Sequence, residues 1–331
     1  MALVLSSSTT GAPWGGPEQS SHTLDWQWRE DGDTGNFSRA GIARMPPGVV
    51  EVIGGGSTSL VGVLDDGNIL KYPFVEGESA NEFNVEASIY EALGRHPRII
   101  GFLGRYGDGL KLERGSQLTE YLDTKDHSVL RLRWARQTAE GLGYLHSRGV
   151  IHCDLHPDNM LLDNEKNIKL CDFQGQMGAL DGKALERTRY CLPRDDLLPS
   201  IQSDIFALGS TIFKIMTGSD PYQELSDQDV ESRYQRLDFP ATEFIGGAQV
   251  RKCWLQAYSC ADEVVSELGS IHLPSRFFVE PETERVQVPH LAEQGTHAMT
   301  VRVCPQEYLI SDSISEHIAE VVVVERVRIR R

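Results

Sequence analysis

The sequence has no long apolar run and no excess of positive charge. Its 331 residues include 32 Lys and Arg against 48 Asp and Glu, which gives a formal net charge of −16. General nucleic-acid binding and binding to anionic membranes both need clustered basic surface, so we expect neither. No apolar stretch approaches the roughly 20 residues that span a bilayer, and the start MALVLSSS lacks the positive region of a secretory signal. These absences predict an intracellular protein of the cytoplasm, with the nucleus left open.

Cysteine is also scarce, with six residues and no Cys-x-x-Cys pair. Zinc sites and disulfide frameworks usually show such spacing, so we predict neither and expect reduced thiols. With 40% hydrophobic and 24% charged residues, the composition is that of an ordinary globular protein. The length is sufficient for one large domain or two smaller ones.

A change of composition near Val49 divides the N-terminal part of the chain. Residues 1–48 are rich in Gly, Ser, Thr and Pro and lack sustained periodicity, which predicts a disordered extension. The runs VVEVIGGG and NILKY then indicate strands on either side of a Gly-rich turn, and two later apolar runs indicate further strands. Between them, EFNVEASIYEALG has apolar residues at helical spacing. We therefore predict a small β-rich lobe with one helix.

The pattern becomes mostly helical after Gly115. Apolar stripes at helical spacing cover residues 131–146 and 201–216, and a less regular stripe covers about 250–268. This pattern predicts a larger, mainly helical lobe. Residues 270–331 mix turn residues, scattered charge and a closing β-branched run, and we assign that tail no role.

Groups that could handle phosphates lie in the β-rich part. Phosphoryl transfer depends on precise positioning of the reacting groups and on neutralising the charge of the phosphates, and few residues take part in covalent chemistry. The backbone of Gly54–Gly56 could close over phosphates, although a plain hairpin turn is an alternative. Lys71 lies inside an apolar strand, an unusual place for a hydrated cation unless it reaches water from an edge strand. Glu86 on the following helix can pair with it, although Glu82 and Glu91 are also nearby.

Three polar residues in the helical part could complete such a site. Asp154 can accept the proton of an attacking hydroxyl, and Asn159 offers a carbonyl oxygen to a hard cation. Asp172 follows the apolar run NIKLC and could supply a second metal ligand. Each has a simpler alternative, such as Asp158 and Asn159 serving only as turn formers. Their joint occurrence in this order favours a phosphotransferase.

The joint set resembles the eukaryotic protein kinase family over about residues 50–268. The matching segments are IGGGSTSLV (53–61), ILK (69–71), EASIYEAL (86–93), HPRII (96–100), YLHSRGVIHCDLHPDN (144–159), CDFQ (171–174) and SDIFALG (203–209). The His-Cys-Asp loop and a late Lys-Cys-Trp most resemble small, divergent fungal Ser/Thr kinases. The resemblance covers about two thirds of the chain.

The resemblance implies an α+β, bilobal protein-kinase-like fold. The kinase-like domain would cover residues 49–269, with a small β-rich N-lobe (49–114) and a larger, mainly helical C-lobe (115–269). It also implies ATP and Mg²⁺ as cofactors, and transfer of the γ-phosphate to Ser or Thr hydroxyls of a protein substrate. It says nothing of the oligomeric state.

The resemblance further implies a role for individual residues. Catalytic roles fall on Asp154, Lys71, Glu86 and His156, and metal binding falls on Asn159 and Asp172. The nucleotide pocket would consist of Ile53, Gly54, Gly56, Val61, Lys71, Leu112, Glu113, Gly115 and Leu161. Within it, Leu112 is expected at the back of the adenine pocket, and Val61 and Leu161 would sandwich the adenine.

Four positions depart from the family pattern. Cys153 replaces the Arg that binds a phosphate on the activation loop, and residues 173–187 contain no Ser, Thr or Tyr. His156 replaces the Lys that neutralises the transferring phosphate, and an imidazole is only partly charged near neutral pH. Gln174 replaces a Gly, and Arg194 replaces a Glu that pairs with a late Arg.

These departures leave two alternatives to a Ser/Thr kinase. A pseudokinase scaffold would bind nucleotide without transferring phosphate, but the base, the metal ligands and the Lys71–Glu86 pair are all retained. The loop alone also fits small-molecule kinases of the aminoglycoside and choline type. Thr188, Tyr190 and Pro193, together with the segment SDIFALG, favour a protein kinase.

Because Cys153 cannot bind a phosphate, we predict that any kinase activity is independent of activation-loop phosphorylation. Protein treated with a phosphatase should transfer label from γ-labelled ATP at the rate of mock-treated protein. A loss of rate after phosphatase treatment would contradict this prediction.

Overall fold

The computed structural model describes the chain in several stretches. These are residues 27–30, 37–40, 44–56, 58–77, 79–122, 128–196 and 198–271. The predicted tail over 270–331 lies outside them except for its first two residues, as does most of the predicted N-terminal extension. Within that extension, Gln27–Glu30 (β1) pairs antiparallel with Phe37–Ala40 (β2).

The N-lobe is a five-stranded antiparallel sheet in the order β3-β4-β5-β7-β6. Its strands are Val49–Gly55 (β3), Ser59–Leu64 (β4), Ile69–Pro73 (β5), Phe102–Tyr106 (β6) and Gly109–Leu112 (β7). The sequence predicted that the first run and NILKY flank the Gly-rich turn, but β4 lies between them. Strand β4 is almost wholly buried, so it lacks the two-residue alternation that reveals a half-buried strand.

The single helix of this lobe, Ala80–Leu93 (α1), follows β5. It buries Phe83, Ala87 and Tyr90, which share one face at helical spacing. Glu86 lies on that same buried face. The helix ends at Gly94, whose φ of 61° favours glycine and whose N–H donates to the carbonyl of Tyr90.

Five helices form most of the C-lobe that the structure describes. They are Ser128–Ser147 (α2), Ile201–Thr217 (α3), Asp227–Gln235 (α4), Gly247–Trp254 (α5) and Ala261–Gly269 (α6). The sequence predicted α2 and α3, but it missed α4, in which only Val230 and Tyr234 are buried. The stripe predicted over about 250–268 is two helices, separated by a turn in which Gln256 has a φ of 57°.

Short strands place the loops between the helices. They are Ser116–Gln117 (β8), Val150–Ile151 (β9), Met160–Leu162 (β10), Ile168–Leu170 (β11), Gln176–Met177 (β12) and Leu180–Asp181 (β13). They form two three-stranded sheets in the orders β11-β10-β8 and β13-β12-β9. Residues 152–159 therefore lie between β9 and β10, and Asp172 follows β11.

The main core extends from α1 through α2 and α3 to α6 and includes Trp134, Phe206 and Trp254. A smaller cluster lies within the N-lobe sheet and contains Tyr72. This arrangement confirms the predicted α+β fold with a small β-rich lobe and a larger helical lobe. Within the described stretches, no helix is both long and apolar enough to cross a membrane.

Gly175 is required where β12 packs against the loop after β9. A β-carbon there would lie 2.0 Å from the carbonyl oxygen of Ile151 and 2.5 Å from that of His152. We therefore expect Gly175→Ala to lower the free energy of unfolding in a denaturant titration by about 1–3 kcal/mol, the usual cost of overpacking. Gly269→Ala is the control, because its β-carbon would come no closer than 3.7 Å to the side chain of Arg136. Equal stability of the two variants would contradict this account.

Candidate active site

Lys71 lies on β5, a strand whose five residues are all buried. Its Nζ is 2.7 Å from Oε2 of Glu86 on α1 and 2.5 Å from Oδ1 of Asp172 after β11. Lys71 therefore does not reach into water, and its partner on the helix is Glu86 rather than Glu82 or Glu91. The three side chains join the N-lobe sheet, its helix and the C-lobe.

The two carboxylates determine the charge of this cluster. Burial acts to lower the pKa of Lys71, but attraction to Asp172 and Glu86 outweighs it and raises that pKa above its ordinary value. Burial likewise acts to raise the pKa of Asp172, yet Lys71 holds it below its usual range. For Glu86, which has no exposed surface, burial prevails and raises the pKa. At neutral pH the site therefore contains an ammonium paired with the ionised Asp172.

Asp204, near the start of α3, holds the catalytic loop, which is residues 152–159. The Asp204 carboxylate accepts hydrogen bonds from the backbone N–H groups of His152, at 2.7 Å, and Cys153, at 3.0 Å. It also lies 3.0 Å from Nε2 of His146. Cys153 has a φ of 66°, which a residue with a side chain seldom adopts without such support. Asp204 has no predicted role of its own, although a carboxylate among the apolar residues of α3 is an unusual feature.

Asp154 presents its two carboxylate oxygens differently. Oδ2 lies 3.2 Å from Nε2 of His156 and 3.3 Å from Nδ2 of Asn159. Nδ2 of Asn159 also donates to the Asp154 carbonyl at 2.9 Å. Oδ1 is buried and has no hydrogen-bond partner among the described residues. Oδ2 is therefore held in place, whereas Oδ1 is a buried acceptor that no described residue satisfies.

His156 lies beneath Asp154 rather than at the surface. Its exposed fraction is 1%, and its ring lies 5.8 Å from the ring of Tyr190. The resemblance implied a residue that faces the transferring phosphate, but this side chain is enclosed by protein. An enclosed ring of this kind has almost no exposed surface to offer a phosphate.

Asn159 and Asp172 form the candidate metal site. Both offer hard oxygen ligands, and Nδ2 of Asn159 already donates to Asp154, which leaves its amide oxygen for a cation. No cluster of three or more His, Cys, Asp or Glu in the described part of the chain can hold a metal by itself. Two protein oxygens fit Mg²⁺, which usually takes its other ligands from substrate phosphates and water.

The Gly-rich hairpin connects β3 to β4 and is exposed. Ile53 is exposed, and a β-carbon on Gly54 would meet no atom within 4 Å. Gly56 donates its N–H to the carbonyl of Ser59 at 2.8 Å and closes the turn. The tip at residue 57 lies outside the described residues.

The other predicted pocket residues lie between the two lobes. Val61 on β4 is opposite Lys71 on β5, and Leu112 is buried at the end of β7. A β-carbon on Gly115 would lie 2.8 Å from Cβ of Leu161, so this glycine lets the connection between the lobes pass close to β10. Glu113 is exposed, and its N–H donates to the carbonyl of Gly101 at 2.8 Å. The N–H of Glu113 therefore already has a hydrogen-bond acceptor within the protein.

Aromatic rings join α1 to the catalytic loop. The ring of Tyr90 on α1 meets the ring of Phe173 edge-on, with 4.9 Å between ring centroids. The ring of Phe173 in turn meets that of His152 edge-on, with 5.6 Å between centroids. Burial lowers the pKa of His152, which keeps this ring neutral. These edge-on contacts could not be anticipated from residue spacing, because the three residues are far apart along the chain.

The segment from Asp172 to Arg194 is held by ion pairs. Arg194 pairs with Glu186 of the same segment at 2.8 Å. Arg187 pairs with Asp158 of the catalytic loop at 2.6 Å. Gln174 accepts a hydrogen bond at its carbonyl from the N–H of Ala184, at 3.1 Å.

Comparison with known proteins places these features in a family. A sequence profile for the Protein kinase domain matches residues 53–268, which is more than half of the chain. Serine/threonine-protein kinase A-Raf of Mus musculus is 29% identical over 213 residues, covering 56% of this chain and 35% of the relative. A putative mitogen-activated protein kinase kinase kinase 7-like protein of Drosophila melanogaster is 31% identical over 159 residues, covering 40% and 38% respectively. An Aurora kinase of Eremothecium gossypii is 26% identical over 183 residues, covering 50% and 48%. The chain thus spans between a third and a half of the length of these relatives.

The Glu186–Arg194 pair should contribute to stability because both side chains are largely buried, with exposed fractions of 9% and 13%. Arg194→Gln should lower the free energy of unfolding by about 1–3 kcal/mol, since it leaves a buried charge without its partner. Lys252→Gln is the matched control, because the Lys252–Glu267 pair is exposed and should contribute less than about 1 kcal/mol. Denaturant titration would measure the free energy of unfolding of both variants. An equal loss in the two would contradict a larger contribution from the buried Glu186–Arg194 pair.

Proposed function

The chain belongs to the protein kinase family, and from that premise we propose that it transfers the γ-phosphate of ATP to Ser or Thr hydroxyls of protein substrates. The observation that carries the proposal is the Lys71–Glu86–Asp172 cluster beside an Asp154 whose Oδ1 has no described partner. The relative A-Raf, which is named a serine/threonine-protein kinase, supports the same substrate class. Each of these residues falls within the region that matches the family.

In the proposed reaction, Asp154 accepts the proton of the substrate hydroxyl. The hydroxyl oxygen forms a bond to the γ-phosphorus while the bond from that phosphorus to the bridging oxygen of ADP breaks. His156 and Asn159 hold Oδ2 of Asp154, so the carboxylate keeps one orientation during the reaction.

The remaining groups position the nucleotide. Lys71, held by Glu86, contacts the α- and β-phosphates, and Asn159 and Asp172 hold Mg²⁺. When bound there, Mg²⁺ neutralises charge that develops on the phosphates. The adenine lies between Val61 and Leu161.

The rest of the pocket completes the nucleotide site. Ile53, Gly54 and Gly56 cover the phosphates from the N-lobe side. Leu112 closes the back of the adenine pocket, and the backbone from Glu113 to Gly115 faces the adenine edge.

We further propose that the enzyme does not require activation-loop phosphorylation. Burial raises the pKa of the Cys153 thiol, so this side chain is neutral and cannot attract a phosphate. The pairs Arg194–Glu186 and Arg187–Asp158 already fix the segment without one. The His-Cys-Asp loop supports a place among small, divergent fungal Ser/Thr kinases.

The domain limits and the location also remain proposals. The kinase-like domain covers residues 49–269, divided at 114/115, with an extension over 1–48 and a tail over 270–331. The cytoplasm is the proposed compartment, since the composition and the thiols suit a reducing interior.

A pseudokinase scaffold is the second candidate, favoured by the enclosed position of His156. A nucleotide could bind to the Lys71–Glu86–Asp172 cluster without being turned over. A small-molecule kinase is a weaker third candidate, because only the loop pattern supports it.

The test is transfer from γ-labelled ATP with Mg²⁺ to a generic Ser/Thr protein substrate and, separately, to a panel of small hydroxyl compounds. Asp154→Asn should lower the rate by about 100-fold or more, since it removes the base. Asp195→Asn, which changes an exposed carboxylate, should keep the wild-type rate.

Each result selects one function. Label on protein Ser or Thr that depends on Asp154 supports the proposal. Label on a small compound alone would assign the chain to small-molecule kinases. ATP binding without any transfer would make it a scaffold.

A further inference from the structure

A cavity lies between the segment 94–101, which joins α1 to β6, and the C-lobe strand β11. Its volume is about 260 Å³, and it is lined by residues of that segment, by Glu113 and by Lys169. Sites for drug-sized ligands usually measure about 300–1,000 Å³, so this cavity suits a smaller molecule. Only Glu113 also belongs to the proposed nucleotide site, so the cavity is a separate feature of the molecule.

The segment that forms most of this cavity is fixed against the C-lobe. The carbonyl of Arg98 accepts the N–H of Leu170 at 2.8 Å, and the N–H of Ile100 donates to the carbonyl of Leu170 at 3.0 Å. The ring of His96 stacks on that of Tyr144 of α2, with 3.8 Å between ring centroids and 4° between the ring planes. These contacts hold the cavity open in the absence of a ligand, as is usual for binding sites of small molecules.

Lys169 lines the cavity, and its ammonium has no hydrogen-bond acceptor in the described part of the chain. Its neighbours on β11, Ile168 and Leu170, are buried on the other face of the strand, and the Lys169 side chain itself is only 17% exposed. Oδ2 of Asp163, its ion-pair partner, is 3.8 Å from Nζ, which is beyond hydrogen-bond distance. A largely buried ammonium needs closer acceptors than this, so an anion in the cavity would satisfy it.

Two further charged groups line the cavity. The guanidinium of Arg95 is exposed and forms no ion pair or hydrogen bond with a described residue. The carboxylate of Glu113 lies against Gly101, where a β-carbon would be 2.5 Å from both carboxylate oxygens. Burial and the nearby cation Arg98 lower the pKa of His96, so this ring adds no charge at neutral pH. With the lysine, the cavity thus offers two cations and one carboxylate, in a chain whose net charge is −16.

From these groups we propose that the cavity binds a small organic anion, a carboxylate or a phosphate ester, that also carries a hydrogen-bond donor. The anionic group contacts Lys169 and Arg95, since charge-assisted hydrogen bonds to such cations are the strong ones. The donor contacts the carboxylate of Glu113. Ile99 and Ile100, which also line the cavity, contact the carbon skeleton.

Calorimetric titration of the full chain with four probes tests this site. L-malate and glycerol 3-phosphate carry an anion and a hydroxyl, succinate carries carboxylates alone, and glycerol carries hydroxyls alone. We expect saturable binding of malate or glycerol 3-phosphate and none of glycerol. Malate should bind about 5-fold or more tighter than succinate, because its hydroxyl adds a hydrogen bond to a charged acceptor.

The four probes also define what would overturn the proposal. Equal affinity of malate and succinate would remove the donor contact to Glu113, and the proposal would fail. Absence of saturable binding of both hydroxyl-bearing anions up to about 10 mM, a very weak affinity, would also overturn it. Binding of only one of the two would support the site and identify its anion as a carboxylate or a phosphate.

Substitutions assign the binding to this cavity. Lys169→Met keeps the apolar stem and removes the ammonium, so binding should weaken about 10-fold. Arg95→Gln removes an exposed guanidinium and should weaken binding about 3-fold. Lys252→Met is the matched control, because it removes one positive charge that pairs with Glu267 and does not line the cavity. Its affinity should stay within about 2-fold of the wild type, since exposed distant charges are screened.

The variants separate this cavity from other anion sites. Denaturant titration of each variant would show whether it is folded, and the exposed position of Arg95 makes its variant the safer of the two. Wild-type affinity in both Lys169→Met and Arg95→Gln would mean that the probes bind elsewhere, for example at Lys71, and would overturn the proposal. The measurement needs no phosphate transfer, so its outcome does not depend on the proposed function.

Discussion

A buried ammonium needs hydrogen-bonding and ionic partners, and Lys71 has two carboxyl groups beside it. Its partners Glu86 and Asp172 come from α1 and from the turn after β11, so one cation joins the sheet, the helix and the C-lobe. Removing either carboxylate would leave a charge in a poorly solvated place, which is far more costly than losing an exposed pair. The position of α1 and of the metal-binding turn therefore depends on this cluster.

Asp204 has the corresponding function in the C-lobe. A single carboxylate at the N-terminal end of α3 accepts two backbone N–H groups and so supports the left-handed backbone at Cys153. That support fixes the backbone immediately before Asp154. The base is thus aligned twice: its backbone by α3, and its side chain by His156 and Asn159.

The order of residues along the chain was sufficient to predict most of the fold and the main site. Strand lysine, helix glutamate, loop aspartate and strand-end aspartate follow one another with regular elements between them, and the helices α2 and α3 have clear apolar stripes. The strand β4, the helix α4 and the break near Gln256 were missed. A wholly buried strand, a mostly polar helix and a single positive φ leave little periodicity in a sequence.

The sequence by itself determined which groups are available: a lysine, carboxylates, an amide and a histidine in a kinase-like order. Only the tertiary structure decided which atoms meet. It chose Glu86 among three nearby carboxylates, paired Arg194 with Glu186, and turned Nε2 of His156 toward Asp154. These choices depend on distances of a few ångströms and on which donor already occupies an acceptor. Residue type and spacing do not contain that information, because it arises only when separate elements pack together.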